Sequence, residues 1–189
     1  TALLAGIGIL LVTFVVPTPD VIKTHRDVGI LKAYLKPVLT QSTLLRMNVS
    51  VFLLHLLMTA NFTVIPLLFR DRLNLAIVDH WKIYLPVLLL SIVVSLPMII
   101  ISEKFRKIKI VFILAVTMLV LSQIVVGQYA TWHFGIFQAT DTSLFVGFII
   151  FFIGFNYLEA VQPSLVAKYS DVSTKGTAMG VYSSSQFLG

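Results

Sequence analysis

Long apolar segments alternate with short polar connections along this chain. The apolar segments are Ala2–Val16, Met47–Phe69, Ile83–Ser102, Ile110–Gly127, Leu144–Val166 and Gly176–Gly189. A helix of roughly 20 apolar residues crosses a bilayer core of about 30 Å. Lipid offers no partner for unpaired backbone polar groups, so each segment is expected to be helical. The pattern predicts an all-α integral membrane protein whose first and last spans are cut short.

Composition supports the membrane assignment and removes several kinds of chemistry. Charged residues make up 12% of the chain, whereas a soluble domain carries about 25%. Cysteine is absent from the sequence, which excludes disulfides and thiolate metal sites. The sequence has no phosphate-binding loop or hydrolase motif. We therefore predict no cofactor, no metal and no enzymatic activity.

The positive charges are unevenly distributed among the five polar connections between the segments. These connections are Thr18–Arg46, Arg70–Lys82, Glu103–Lys109, Gln128–Thr142 and Ala167–Lys175. The first, third and fifth carry 11 Lys and Arg residues and the other two carry 3. Because cytoplasmic loops are enriched in Lys and Arg, the first, third and fifth are predicted to be cytoplasmic. This topology accounts for the net charge of +6, so no nucleic-acid partner is needed.

The first cytoplasmic connection has the periodicity of a short surface helix. Its apolar residues recur at helical spacing, namely Ile30, Leu31, Tyr34, Leu35, Val38 and Leu39. Lys32 and Lys36 lie on another side, which favours an amphipathic helix on the inner membrane surface. Pro37 is expected to bend or end this helix. A basic, partly disordered loop is the alternative.

Glu159 is the most informative residue, because a carboxylate inside a membrane span is costly and should face the bundle interior or a wet cavity. Asn156 and Gln162 lie three residues to either side and are expected to share its polar face. A carboxyl group that gains and loses a proton is what a proton-coupled carrier needs. The alternative is a structural carboxylate bonded to a neighbouring helix.

The second span carries a polar stripe. His55 and Thr59 belong to it, together with Asn48 and Thr63, whereas Asn61 points elsewhere. A polar stripe on an apolar helix is typical of a cavity lining. The alternative is a neutral histidine hydrogen-bonded between helices.

Two further motifs concern packing and the cytoplasmic surface. Gly176 and Gly180 form a GxxxG pair, which lets helix backbones approach closely in lipid. The basic turn between the third and fourth spans includes Glu103, Lys104, Arg106 and Lys107. Plain positive-inside anchoring is the simple explanation of this turn.

The order of these features resembles the second half of bacterial major facilitator superfamily carriers, most of all the drug-efflux type and its YajR-like subgroup. A basic linker precedes a span, a basic turn follows the next span, and NYLEAVQPSLVAKYS leads into KGTAMGVYSSSQFLG. The resemblance is most specific at Glu159–Ser164 and Lys175–Gly189, and less so at Leu44–Phe69 and His80–Ser102.

The resemblance implies an assignment of the chain to a carrier half. Residues 1–17 would be the end of transmembrane helix 6, and residues 18–46 the cytoplasmic linker between the halves. Residues 47–189 would be helices 7 to 10 and the start of helix 11, with the N-terminal half outside this sequence. Glu103–Lys107 would match the family's looser turn between helices 8 and 9. Glu103 stands where Asp is usual there, and Arg106 where Gly is usual.

The combined expectation is a secondary transporter of the bacterial inner membrane. It would export small amphipathic molecules in exchange for protons, by rocking two helix bundles about a midplane site. Glu159 would carry the proton or act in gating, and His55, Thr59, Asn61, Asn156 and Gln162 would line the cavity. Its partners would be the bilayer, the substrate, protons and the N-terminal half of the carrier. The alternative is a non-transporting sensor or assembly protein on the same scaffold. A membrane enzyme using His55 and Glu159 as acid and base has no motif to support it.

Overall fold

The computed structural model describes residues 2–16, 32–131 and 141–189. In these ranges all the regular secondary structure is helical. The helices are α1 (Ala2–Phe14), α2 (Lys32–Thr40), α3 (Ser42–Leu73), a single 3₁₀ turn (Ile77–Asp79), α4 (Trp81–Lys104), α5 (Ile108–Thr131), α6 (Asp141–Tyr169) and α7 (Lys175–Leu188). The predicted all-α membrane fold is confirmed.

Four of the helical segments are long and apolar enough to cross a membrane: Ser42–Leu73, Ile77–Lys104, Ile108–Tyr129 and Asp141–Tyr169. Each contains one of the predicted spans but continues beyond it into polar residues. For example, the span predicted at Met47–Phe69 is part of a helix that begins at Ser42 and ends at Leu73. Polar residues at the ends of a span continue the backbone hydrogen bonds into the interface, so a hydropathy pattern underestimates the helix.

α6 is the central helix of the described bundle and contacts α3, α4, α5 and α7. Of its most apolar stretch, 61% is buried, against 22–28% for the other three long helices. Its core side chains include four phenylalanines, Phe148, Phe151, Phe152 and Phe155. Phe148 lies against Phe152 at a ring-centroid distance of 4.9 Å in an edge-to-face arrangement, a geometry that aromatic pairs favour. Polar side chains in the middle of α6, such as Asn156 and Gln162, therefore lie at interhelical contacts.

Small residues set the distance between α6 and its neighbours. A Cβ atom added to Gly154 would lie 2.8 Å from the carbonyl oxygen of Ala115 on α5. On α4, Ser91, Ser95 and Ser102 are fully buried or nearly so. Each of these serine hydroxyls donates to a carbonyl three residues earlier in its own helix. Small side chains thus allow close backbone approach in the way expected of membrane helices.

Gly154→Ala is expected to lower the stability of the bundle by about 1–3 kcal/mol, because the added methyl group meets a backbone atom that cannot move aside alone. Gly127→Ala on α5 is the matched control, since nothing lies within 4 Å of the Cβ atom it adds. Thermal unfolding of the protein in detergent measures both. Equal unfolding temperatures for the two variants would contradict the close α5–α6 contact.

α2 confirms the helix predicted in the first connection and also shows that it is docked. Val38 is buried in a cluster with residues of α3, α6 and α7, among them Val166 and Ala178. Pro37 does not end the helix, which continues to Thr40. Gln41 alone separates α2 from α3, and its Nε2 donates to the carbonyl oxygen of Tyr169 at 3.0 Å. Residue 17 of the first predicted span and residues 18–31 of the predicted linker lie outside the described residues, as do residues 132–140 of the fourth connection.

Candidate functional site

Glu159, His55 and Gln186 meet where α3, α6 and α7 pack together. The Nε2 amide of Gln186 donates to Oε1 of Glu159 at 2.9 Å and lies 3.0 Å from Nε2 of His55. His55 Nε2 and Glu159 Oε2 are 3.6 Å apart. One residue from each of three helices thus forms a single polar cluster, which we call the His55–Glu159–Gln186 cluster.

The ring of His55 is fixed by its other nitrogen. Nδ1 lies 3.2 Å from the carbonyl oxygen of Val51, one turn earlier in α3. A carbonyl oxygen can only accept, so Nδ1 carries the hydrogen and a neutral ring leaves Nε2 as an acceptor. The edge of the ring also contacts Phe155 at a centroid distance of 5.7 Å. In this arrangement Gln186 donates to His55.

The cluster lies deep within the spans. The start of α3 and the end of α6 are adjacent, because Gln41 bonds to Tyr169. At about 1.5 Å of rise per residue, His55 lies about 20 Å along α3 from that end and Glu159 about 15 Å along α6. The cluster therefore lies well inside both helices and not at their ends.

The cluster is open on one side of the described bundle. The side chain of Glu159 is 35% exposed and that of His55 is 20% exposed. Glu159 Oε2 is nevertheless buried, and it has no hydrogen-bond partner among the described residues. A carboxyl group with one bonded oxygen and one unbonded oxygen has room for a proton or for a second donor.

A second group of hydrogen bonds anchors the same three helices one turn nearer the C-terminal end of α6. Gln162 is fully buried, and its Nε2 donates to Oγ of Ser50 on α3 at 2.8 Å. The hydroxyl of Tyr182 on α7 donates to Oε1 of Gln162 at 3.4 Å. Gln162 therefore holds α3, α6 and α7 in register beside the cluster.

The other predicted cavity residues are spread over different surroundings. Asn156 faces α4, where its Nδ2 donates to Oγ of Ser91 at 3.0 Å. Asn61 is buried and its Nδ2 has no partner among the described residues. Thr59 is exposed, and its carbonyl oxygen accepts from Oγ1 of Thr63. Of the five predicted cavity-lining residues, the structure brings only His55 into contact with Glu159, with Gln162 in the next layer.

Comparison with known proteins shows which proteins this chain is similar to. The chain is 38% identical to the inner membrane transport protein YajR of Escherichia coli (strain K12) over 188 residues, which is all of this chain and 39% of that protein. It is 30% identical to an uncharacterized transporter of Buchnera aphidicola subsp. Acyrthosiphon pisum over 197 residues, which is 46% of that protein.

The chain is similar to bacterial transport proteins. It spans less than half the length of the curated relatives it matches. No protein-family model matches it, and no solved structure does. With four helices able to span a membrane, the similarity to an inner membrane transport protein identifies the chain as a multi-pass inner membrane protein.

Gln186 is the cluster member that sequence reasoning missed. It belongs to the segment interpreted as a packing helix, for which Gly176 and Gly180 were the selected residues. Both glycines are half-buried at the edge of the buried face of α7, which is formed by Thr177, Ala178 and Tyr182. Gln186 lies one turn beyond Tyr182 on this face. A glutamine that continues the buried face of a helix was the available signal.

The cytoplasmic turn has a backbone conformation that favours glycine at one position. Glu103 and Lys104 end α4, and Lys107 precedes α5. Arg106 lies between them with a φ of 53°, in the left-handed region where a side chain costs free energy. All four residues are exposed. The resemblance placed a glycine at Arg106, and the fold keeps the backbone shape of that glycine while the side chain is arginine.

Arg106→Gly is expected to be more stable than Arg106→Ala by about 1 kcal/mol, because only glycine adopts a positive φ without steric cost. At the neighbouring Lys107, which has no positive φ, the order should reverse, with alanine more stable than glycine. Unfolding temperatures of the four variants test this. The same order at both positions would rule out the left-handed turn.

Proposed function

We propose that this chain is part of a secondary transporter that moves small amphipathic molecules out of the cell in exchange for protons. The His55–Glu159–Gln186 cluster carries this proposal. Two titratable side chains meet in it well inside the membrane-spanning helices, where ionisable residues mark transport pathways and proton relays. The relatives that are named as transport proteins support the same class of function.

In this proposal Glu159 carries the exchanged proton. Its carboxyl group is partly exposed, and one of its oxygens has no hydrogen-bond partner among the described residues. Transport requires the proton to reach the group from one side of the membrane and leave towards the other. His55 Nε2 lies 3.6 Å from Glu159 Oε2, so a second side chain that can accept a proton stands beside the carboxyl group.

The scaffold that we propose is the C-terminal half of a major facilitator superfamily carrier. α1 would be the end of helix 6, α3 to α6 would be helices 7 to 10, and α7 the start of helix 11. Large apolar side chains are exposed on α1, α4 and α5, which suits surfaces that face lipid or a second helix bundle. Asn61, Thr59 and Asn156 remain proposed contributors to the cavity between the two bundles.

Proton movement in liposomes tests the proposed function. The intact protein is reconstituted with a pH-sensitive dye inside, and a lipophilic cation such as tetraphenylphosphonium is added outside. Coupled exchange predicts a pH change that requires the protein, depends on the added cation and is abolished by a protonophore. A pH trace identical to that of empty liposomes across a panel of amphipathic cations and neutral compounds would refute proton-coupled export of such molecules.

A further inference from the structure

The side-chain amide of Gln186 lies between the side chains of His55 and Glu159. It is on α7, whereas His55 is on α3 and Glu159 on α6. Its amide nitrogen has two hydrogens, and two acceptors lie within hydrogen-bond distance, at 2.9 Å and 3.0 Å. The direct distance between His55 Nε2 and Glu159 Oε2 is 3.6 Å, too long for a hydrogen bond. The two titratable groups are therefore bridged by the amide and are not bonded to each other.

Gln186 donates both hydrogen bonds of this bridge. Its two neighbours must therefore both be acceptors. Glu159 meets this condition through Oε1, and His55 meets it only while its ring is neutral, because an imidazolium has a hydrogen on each nitrogen. A protonated His55 would turn an N–H group towards the NH₂ group of Gln186. The docked amide is thus compatible with a neutral His55 ring and is repelled by the imidazolium form.

We infer that Gln186 is a positioning residue that couples the docking of α7 to proton exchange between Glu159 and His55. This inference rests on the proposed proton-coupled transport. With α7 docked, the amide holds His55 as an acceptor and keeps the two groups apart. When the segment of α7 that carries Gln186 moves away, His55 Nε2 and Glu159 Oε2 close the remaining gap. The O–H bond of a protonated Glu159 then breaks as an N–H bond forms at His55, which leaves a carboxylate beside an imidazolium.

The coupling works in both directions, as linkage requires. Protonation of His55 puts an N–H group of the ring against the NH₂ group of Gln186. This contact favours release of Gln186 and of the helix that carries it. The hydroxyl of Tyr182, one turn before Gln186 in α7, donates to Gln162 and belongs to the anchoring group. The segment that must move is therefore the one that follows Tyr182 and carries Gln186.

The end of α7 is held closely against α3. A Cβ atom added to Gly189 would collide with the carbonyl oxygen of Phe52. Gly189 follows Gln186 by less than one turn and Phe52 precedes His55 by the same interval. The close contact and the amide bridge therefore open or close together.

Nitrogen-15 NMR of histidine in the intact, liposome-reconstituted protein tests the inference without any transport measurement. A His55→Asn variant identifies the His55 signals. In the unchanged protein, at a pH where the ring is neutral, Nε2 is expected at the position of an unprotonated ring nitrogen. In Gln186→Met, which keeps the side-chain length and removes both donors, that signal should be lost in favour of a protonated Nε2. Gln123→Met on α5 is the matched control and should leave His55 unchanged.

A second variant separates helix docking from the amide itself. Gly189→Ala keeps Gln186 but displaces the end of α7, so it should produce the same loss of the unprotonated Nε2 signal. Gly8→Ala on α1, where nothing lies within 4 Å of the added Cβ atom, should not. An unchanged His55 spectrum in Gln186→Met would overturn the inference, and an unchanged spectrum in Gly189→Ala would overturn its dependence on α7.

The NMR spectra test the inference about Gln186, and the liposome assay tests the proposed function. A wild-type protein that shows the expected His55 signals without moving protons would refute the proposed function and leave the amide bridge in place. A protein that exchanges protons with an unchanged His55 spectrum in both variants would keep the function and remove Gln186 from it.

Discussion

Glu159→Gln is expected to reduce substrate-dependent proton movement to the level of empty liposomes. Glutamine has the shape of the protonated carboxyl group and can accept from Gln186 through its oxygen, but it has no proton to release. The bundle should therefore remain folded, with a change of only a few degrees in unfolding temperature. The liposome pH assay measures the loss, and the unfolding temperature confirms that the protein is intact.

The matched control is Asp171→Asn, the same loss of a carboxylate in the exposed connection between α6 and α7. It should leave proton movement unchanged. If Glu159→Gln transported with an unaltered proton signal and pH profile, proton coupling would lie elsewhere in the protein and the role of Glu159 would be wrong.

Phe148→Ala is expected to cause the largest loss of stability, about 3–5 kcal/mol by comparison with buried aromatic truncations. Phe148 is 1% exposed and its ring contacts those of Phe69, Tyr84 and Phe152. Both states of a membrane helix are surrounded by apolar groups, so the loss comes from the cavity and from the missing contacts. Unfolding by a graded denaturing detergent measures it.

Phe105→Ala provides the comparison, because the Phe105 side chain is 60% exposed in the cytoplasmic turn. It should change the unfolding midpoint much less than Phe148→Ala. Similar midpoints for both variants would mean that α3, α4 and α6 do not share the aromatic core described above.

The membrane spans could be predicted from the sequence because each depends only on the hydropathy of its own residues. The stretch from Met47 to Phe69 lacks charged side chains. In lipid its backbone polar groups must bond within the segment, so it forms a helix whatever its neighbours are. The helix ends were not determined in this way. α3 begins at Ser42 and ends at Leu73, because the helical backbone continues into the interface. A hydropathy pattern does not reveal helical residues that are polar.

The site was partly predictable for a different reason. The cost of a carboxylate in lipid singled out Glu159 before its partners were known. Asn156 and Gln162 were expected beside it, but at 3.6 residues per turn they point about 120° apart. The fold directs Asn156 to Ser91 and Gln162 to Ser50. Gln186 was not predicted because its bond to His55 joins residues 131 positions apart, which only the packing of α7 determines. The sidedness predicted from Lys and Arg remains a prediction.

The docking of α2 has a consequence for the order in which the protein is made. Gln41 binds a carbonyl 128 residues later, and Val38 is buried against side chains of α6 and α7. Ribosomes add about 5–20 residues per second, so α2 waits roughly 6–25 s after its own synthesis for the surface that receives it. During that interval its apolar side is available to chaperones and proteases of the membrane. Its burial therefore shows that α6 and α7 have been synthesised and have packed against it.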